Sequence, residues 1–245
     1  MKTINILEVP FTVLTPEATI DLLVGWLDGN KNHVVVTPNP EGVMQAGRNR
    51  DFANALSNAD MSLADGIGIY LASIIIGNRL PSRVRGVDTT FGLFVKLNEI
   101  ERPATAYFLG GRPGVAAQAA KNMEAKYPHL KVVGHHDGYY TESEEKCIVE
   151  NIDSLRPDIL LVCLGMPKAE IFANKYRGIN AKITLCVGGT IDIMAGNARL
   201  APKFLRKIGL EWLYRLVKQP KRFFRMLDLP RFMANVLINK ARGKF

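Results

Sequence analysis

Among 245 residues there are only 3 cysteines and 4 histidines, and none stands at the spacing of a metal or redox centre. The chain holds no Cys-X-X-Cys, no His-Glu-X-X-His and no Asp-X-Asp, so no catalytic metal is expected. His135-His136-Asp137 is a poor chelate, because adjacent side chains on extended backbone point to opposite faces. An odd cysteine count argues against a secreted disulfide framework and for a reducing cytosol. Cys163 and Cys186 sit in short apolar runs and read as buried strand thiols. Long apolar stretches are missing too. The longest, Ile67 to Gly77, falls short of the roughly 20 residues that a membrane span needs. Glu8 interrupts any signal-peptide core, so a soluble, cytoplasmic chain is expected.

Acidic residues are scarce in one region. The whole chain carries 32 Lys plus Arg against 23 Asp plus Glu, a net +9. From Arg199 to Phe245 there are 13 basic and 2 acidic residues, which leaves −2 for everything before. The body is near neutral and the last fifth is strongly cationic. With 47% hydrophobic and 22% charged residues, general disorder is excluded.

The first residues, around Val9-Pro10, suggest a hairpin, and Thr15-Pro16-Glu17 suggests a helix start. Strands are then expected at His33–Thr37, Met61–Ala64, Ala104–Leu109, Lys131–Gly134, Asp158–Leu164 and Lys182–Val187. Helical patterns fill Glu41–Ser57, Ile67–Ile76, Val87–Glu99, Gly114–Tyr127, Glu142–Leu155 and Lys168–Tyr176. This alternation predicts an α/β fold, a Rossmann-like parallel sheet with helices on both faces, plus a C-terminal helical basic appendage. The expected division is residues 1–196 for the catalytic domain and 197–245 for the appendage.

Such sheets bind ligands beyond the carboxyl ends of their strands. Here those ends read Thr37-Pro-Asn-Pro-Glu41, Ala64-Asp-Gly-Ile-Gly68, Gly110-Gly-Arg-Pro-Gly114, Asp137-Gly-Tyr139, Gly165-Met-Pro-Lys168 and Gly188-Gly-Thr-Ile-Asp192. Glycine turns before a helix suit a phosphate, or only a tight turn. Asp65 is a helix N-cap or a general base for a substrate hydroxyl, and its neighbours in sequence do not decide between them. Arg79, Arg83 and Arg85 suit a diphosphate or are solvated surface charge.

The appendage has pattern as well as charge. On one helix, Leu205, Ile208, Trp212 and Leu216 would share a face. Pro220 precedes Arg222, Phe223, Phe224 and Arg225, and Pro230 precedes Phe232, Met233, Val236 and Leu237. Basic amphipathic helices with aromatics suit an anionic membrane surface. The same stripes suit packing on the body or pairing into a homo-oligomer. Nucleic acid is not an expected partner, since the tail carries no nucleic-acid motif.

Taken in order, these segments resemble the WecG/TagA/CpsF glycosyltransferases (family 26) over essentially the whole chain. Leu80-Pro-Ser-Arg83, Tyr107-Phe-Leu-Gly-Gly111, Ala201-Pro202, Gln219-Pro220 and above all Gly209-Leu-Glu-Trp-Leu-Tyr-Arg215 add to the match. The resemblance implies inverting, metal-independent transfer of N-acetylmannosamine from UDP-N-acetylmannosamine. The implied acceptor is the 4-hydroxyl of N-acetylglucosamine on undecaprenyl diphosphate, at the inner face of the cytoplasmic membrane. This is the linkage-unit step of the family's wall teichoic acid members. A same-fold transferase using another UDP-sugar, for capsule or exopolysaccharide, is the alternative.

By position, the resemblance makes Asp65 the general base, Thr37 a sugar-pocket contact and Arg83 a diphosphate contact. It places Asn39, Gly110, Gly111, Tyr139, Lys168, Gly188, Gly189 and Asp192 at the nucleotide and sugar. Arg215, Arg222 and Arg225 would close the site over the lipid diphosphate. No cofactor is implied. The family usually has glutamine where this chain has Ala169, between Lys168 and Glu170, and a basic residue where it has Leu200.

Overall fold

The computed structural model describes residues 1–207, 209–218 and 226–244. It opens with an antiparallel hairpin of β1 (Thr3–Ile6) and β2 (Val9–Thr12). The turn falls at Leu7-Glu8, with φ of 50° and 70°, the sign that tight hairpin turns require at both central residues. Pro10, expected at the turn, lies instead within β2 opposite Asn5. A two-stranded ribbon is all edge, so the missing N–H interrupts no interior ladder. Helix α1 (Pro16–Trp26) then starts with Pro at its first turn, and Thr15 Oγ1 accepts from the Ala18 N–H at 3.2 Å.

The main sheet comprises β3 (His33–Val36), β4 (Met61–Ser62), β5 (Ala104–Gly110), β6 (Leu130–His136), β7 (Ile159–Cys163) and β8 (Ile183–Cys186). All pairings are parallel, in the spatial order β4-β3-β8-β7-β5-β6. The connections carry α2 (Pro40–Ala46), α3 (Arg50–Asn58), α4 (Ile67–Ile75), α5 (Gly86–Glu99), α6 (Val115–Lys126), α7 (Glu142–Leu155), α8 (Lys168–Lys175) and α9 (Thr190–Met194). The single helix expected over Glu41–Ser57 is therefore two. Gly47 ends α2, and Asn49 begins α3 by accepting from the Phe52 N–H at 3.0 Å. A side-chain cap of this kind outcompetes helix continuation.

Successive residues of β7 feed opposite cores. Ile159, Leu161 and Cys163 join one, with Leu23, Phe94 and Ala119. Leu160 and Val162 join the other, with Phe11, Phe52 and Phe172. That two-sided burial explains why the strand shows no polar alternation. The fold is α/β and Rossmann-like, with helices on both faces of the sheet. Cys163 and Cys186 are buried thiols, and burial pushes Cys163 up to about 12.

The basic tail forms α10 (Lys203–Lys207), α11 (Glu211–Lys218) and α12 (Asp228–Ala241). The expected stripe from Leu205 to Leu216 does not run along one helix. Gly209, with φ of 81°, stands between α10 and α11, a conformation that ends a right-handed helix; Ile208 is outside the described residues. Helix α12 packs on α2 and α4, burying Phe232 and Val236 in the second core. Asp228 anchors its start, with Arg48 Nη2 2.9 Å from Oδ1 and Nη1 3.3 Å from Oδ2.

Candidate active site

The carboxyl ends of the strands surround a cavity of about 1480 Å³. Asp65 follows β4 into its wall, Gly111 follows β5 and Tyr139 follows β6. Gly165 and Lys168 come after β7, and Gly188, Gly189 and Asp192 after β8. The tail closes one side through Asn197, Arg199, Glu211 and Tyr214. Sequence reasoning predicted this end of the sheet. Arg85, read from the sequence as a diphosphate contact or surface charge, lines the cavity, and so do Arg199, Glu211 and Tyr214, which were given no role there.

Asp65 does not cap α4. The cap position is Gly66, with φ of 96°, and among the described residues no side-chain cap bond reaches the first turn. The carboxylate instead stands one residue earlier, at the positive end of the helix dipole and in the cavity wall. Gly66 is required here, because φ near 96° with ψ of 156° is a conformation that side chains resist.

Four of the expected contacts are not part of this wall: Thr37, Asn39, Arg83 and Gly110. Thr37 Oγ1 donates to the Cys186 carbonyl at 2.9 Å, which fixes the hydroxyl and leaves its oxygen able to accept. Asn39 is the N-cap of α2, its Oδ1 accepting from the Gly42 N–H at 2.9 Å. Arg83 Nη2 donates to the Arg206 carbonyl at 3.1 Å, tying its loop to the tail. Gly110 has a backbone reason: a Cβ there would stand 2.4 Å from the Cys163 carbonyl carbon. Arg222 and Arg225 lie outside the described residues, as does the side chain of Arg215 in α11.

Gly188 has φ of 49°, so its backbone favours glycine. Gly189 differs, with φ of −74° and only Asp192 Oδ2, at 3.9 Å, near the place of a Cβ. Neither backbone nor packing demands glycine at 189. What its missing side chain does is keep the cavity open beside the first turn of α9.

The charges of the wall are mixed: Arg85, Arg112, Lys168 and Arg199 against Asp65, Glu144, Asp192 and Glu211. Arg85 is largely engaged already. It pairs with Asp88, and its Nη1 lies 2.5 Å from Glu211 Oε2. Burial pulls its pKa down, but the Asp88 bond and the two carboxylate charges outweigh that and hold it above the ordinary value. Tyr139 is well exposed at the rim, its N–H donating to Asp137 Oδ1 at 2.8 Å.

Position 169, where the resemblance implies glutamine, is buried in the second core. Ala169 is 1% exposed and Glu170 5%. Glu170 Oε2 has no hydrogen-bond partner among the described residues, and burial pushes this carboxyl up to about 7. A buried carboxyl at a helix start reads in the sequence as an ordinary polar first turn, so nothing local announced it.

The model of the glycosyl transferase WecG/TagA/CpsF family matches residues 4–245. The chain belongs to that family. It is 35% identical over 213 residues to the N-acetylglucosaminyldiphosphoundecaprenol N-acetyl-beta-D-mannosaminyltransferase of Bacillus spizizenii, covering 86% of this chain and 81% of that protein. It is 32% identical over 246 residues to the Bacillus subtilis protein of the same name, covering 100% and 94%. As a WecG/TagA/CpsF glycosyltransferase, the chain has its cavity at the strand ends where this fold holds nucleotides.

Proposed function

We propose that the chain transfers N-acetylmannosamine from its UDP donor, with inversion, to N-acetylglucosamine linked to undecaprenyl diphosphate. The observation that carries this reading is Asp65, a carboxylate in the cavity wall at a helix N-terminus that it does not cap. Asp65 takes the proton from the acceptor hydroxyl as that oxygen bonds to the anomeric carbon. The bond from that carbon to the UDP oxygen breaks on the opposite side.

Charge arriving on the UDP must be met by positioned cations and N–H groups. Lys168 at the start of α8, Arg112, and the backbone at Gly188-Gly189 border the space for it. Arg83, Arg215, Arg222 and Arg225 are assigned to the acceptor diphosphate. The reaction is proposed to run without metal. Tyr139 and Asp192 hold the uridine, and Thr37 and Asn39 the sugar.

Among the described residues no helix is long and apolar enough to cross a membrane. The cationic tail is proposed to bind the anionic inner face of the cytoplasmic membrane, where a polyprenyl acceptor resides. Support comes from Phe204, Trp212, Leu213 and Val217, apolar residues exposed on α10 and α11.

The test is a screen of UDP-sugars against a short-chain polyprenyl diphosphate bearing N-acetylglucosamine. UDP release is expected with UDP-N-acetylmannosamine, only when the acceptor is present, and unchanged by EDTA. Ala169 in place of the usual glutamine favours a second reading with another UDP-sugar, for which a different donor would lead the screen. No release with any donor, or release that does not need the acceptor, defeats both.

A further inference from the structure

Helix α4 carries no charged residue, and its sequence, Ile67-Gly-Ile-Tyr-Leu-Ala-Ser-Ile-Ile75, divides into two faces. Gly68, Ile69, Ala72 and Ser73 are buried against the body. Leu71 and Ile74 are each 43% exposed. With Ile67 they recur at i, i+4 and i+7, which is a single stripe along the helix.

Tail segments meet α4 at both ends. The turn at Gly209 comes so close that a Cβ there would stand 2.9 Å from Ile67 Cγ1. At the other end Lys240 Nζ donates to the Ile75 carbonyl, and α12 packs alongside. Helix α12 leaves Leu237 and Ile238 exposed in turn. Along the chain, the charge that follows α4 and that follows the start of α12 has one sign. No acidic residue occurs between Asp65 and Asp88, nor after Asp228, whereas Arg79, Lys240, Arg242 and Lys244 do.

We propose that α4 is itself a lipid-contacting element of the body, with Leu71 and Ile74 entering the headgroup–acyl boundary beside α12. An apolar stripe whose own segment and neighbouring tail helix carry cations and no anions beyond Asp65 and Asp228 suits an anionic bilayer surface. The proposal rests on the membrane-surface reading above and adds a body element to the tail. It also has a catalytic consequence. Leu71 lies four residues into α4 from Ile67, about 6 Å along the helix axis, and Asp65 immediately precedes the Gly66 cap of that helix. A lipid-borne acceptor therefore meets the base within reach of one sugar and its diphosphate, without leaving the bilayer.

The test is co-sedimentation of the full chain with phosphatidylcholine vesicles, with and without phosphatidylglycerol. The variant L71S/I74S is compared with L213S/V217S in α11. Both are expected to lose roughly ten-fold or more in partitioning to the anionic vesicles. If only the α11 variant loses binding, α4 is not a lipid contact, although the tail reading stands. If neither loses it, or wild type does not bind, the membrane reading itself fails. A change in self-association with vesicle binding untouched assigns the stripe to a second copy and overturns the proposal.

Leu71→Trp supplies a readout that does not depend on the double variant folding. Its emission, over that of Trp26 and Trp212, is expected to shift to the blue on anionic vesicles and to be quenched by brominated acyl chains. An added tryptophan signal that vesicles leave unchanged sinks the proposal.

Discussion

Arg85 Nη1 lies 2.5 Å from Glu211 Oε2, and this contact joins the loop before α5 to α11, 126 residues later. The side chains are only 12% and 16% exposed. Arg85 also holds Asp88, Arg206 Nη1 approaches Asp88 Oδ1 at 3.6 Å, and Arg83 reaches the Arg206 carbonyl. Body and tail thus meet through a charged network at the cavity wall. The cavity is finished by residues after 196, so the cationic segment shapes the site as well as extending the surface.

The pair should behave as a coupled unit. A double-mutant cycle of Arg85→Ala and Glu211→Ala in urea unfolding is expected to give a coupling energy of about 1–3 kcal/mol. Additive losses, within roughly 0.3 kcal/mol, would show that the contact does not hold α11 to the body.

Glu170 predicts an unusual pH dependence of stability. Its folded pKa, about 7, lies above the ordinary 4.5. Between those values the native state keeps a proton that the unfolded chain has released, so stability falls as pH rises through this window. Below it the carboxyl is neutral in both states and contributes no pH dependence. Glu170→Gln should flatten the profile and raise stability at pH 8 by up to roughly 3 kcal/mol. Chemical denaturation at pH 4.5 and pH 8 reads this directly; an equal effect at both pH values contradicts it.

The sheet was legible because burial leaves a direct local trace. Ile159–Cys163 is apolar throughout, and Gly, Asp and Lys gather just past the strands. Asp65 stood out for the same reason, a carboxylate between an apolar strand and glycines. The helix expected over Glu41–Ser57 hid its break because apolar periodicity carried across Gly47 and Asn49, and only the Asn49 cap shows where it stops. Arg85–Glu211 was not legible at all. Each residue looks like surface charge within its own segment, and the partner is supplied by tertiary folding. Thr37 and Asn39 lie at the expected strand end, yet their hydrogen bonds run to Cys186 and Gly42, a direction no local pattern records.

Two glycines at the strand ends, Gly110 behind the cavity wall and Gly189 in it, should respond oppositely to substitution. Gly110→Ala places a Cβ 2.4 Å from the Cys163 backbone at φ of 134°, and should cost more than about 3 kcal/mol of stability. Gly189→Leu meets no such contact, and should keep stability within about 1 kcal/mol while filling the cavity. Its donor KM should rise roughly ten-fold or more. Thermal melts and initial rates on both variants check this. An unchanged KM for Gly189→Leu removes residue 189 from the donor site.

Asp65→Asn keeps the shape of the side chain and removes its basicity. If Asp65 takes the acceptor proton, kcat should fall on the order of 10²–10⁴. The value of kcat/KM should fall by the same factor, because the interaction lost belongs to the transition state. Donor KM should therefore stay close to wild type, which separates loss of a base from loss of a binding contact. A raised KM at nearly full kcat would make Asp65 a substrate ligand instead. Wild-type turnover would leave the carboxylate at the start of α4 without a chemical role and return the search for the base to Glu144 and Asp192, the other carboxylates in the wall besides the engaged Glu211.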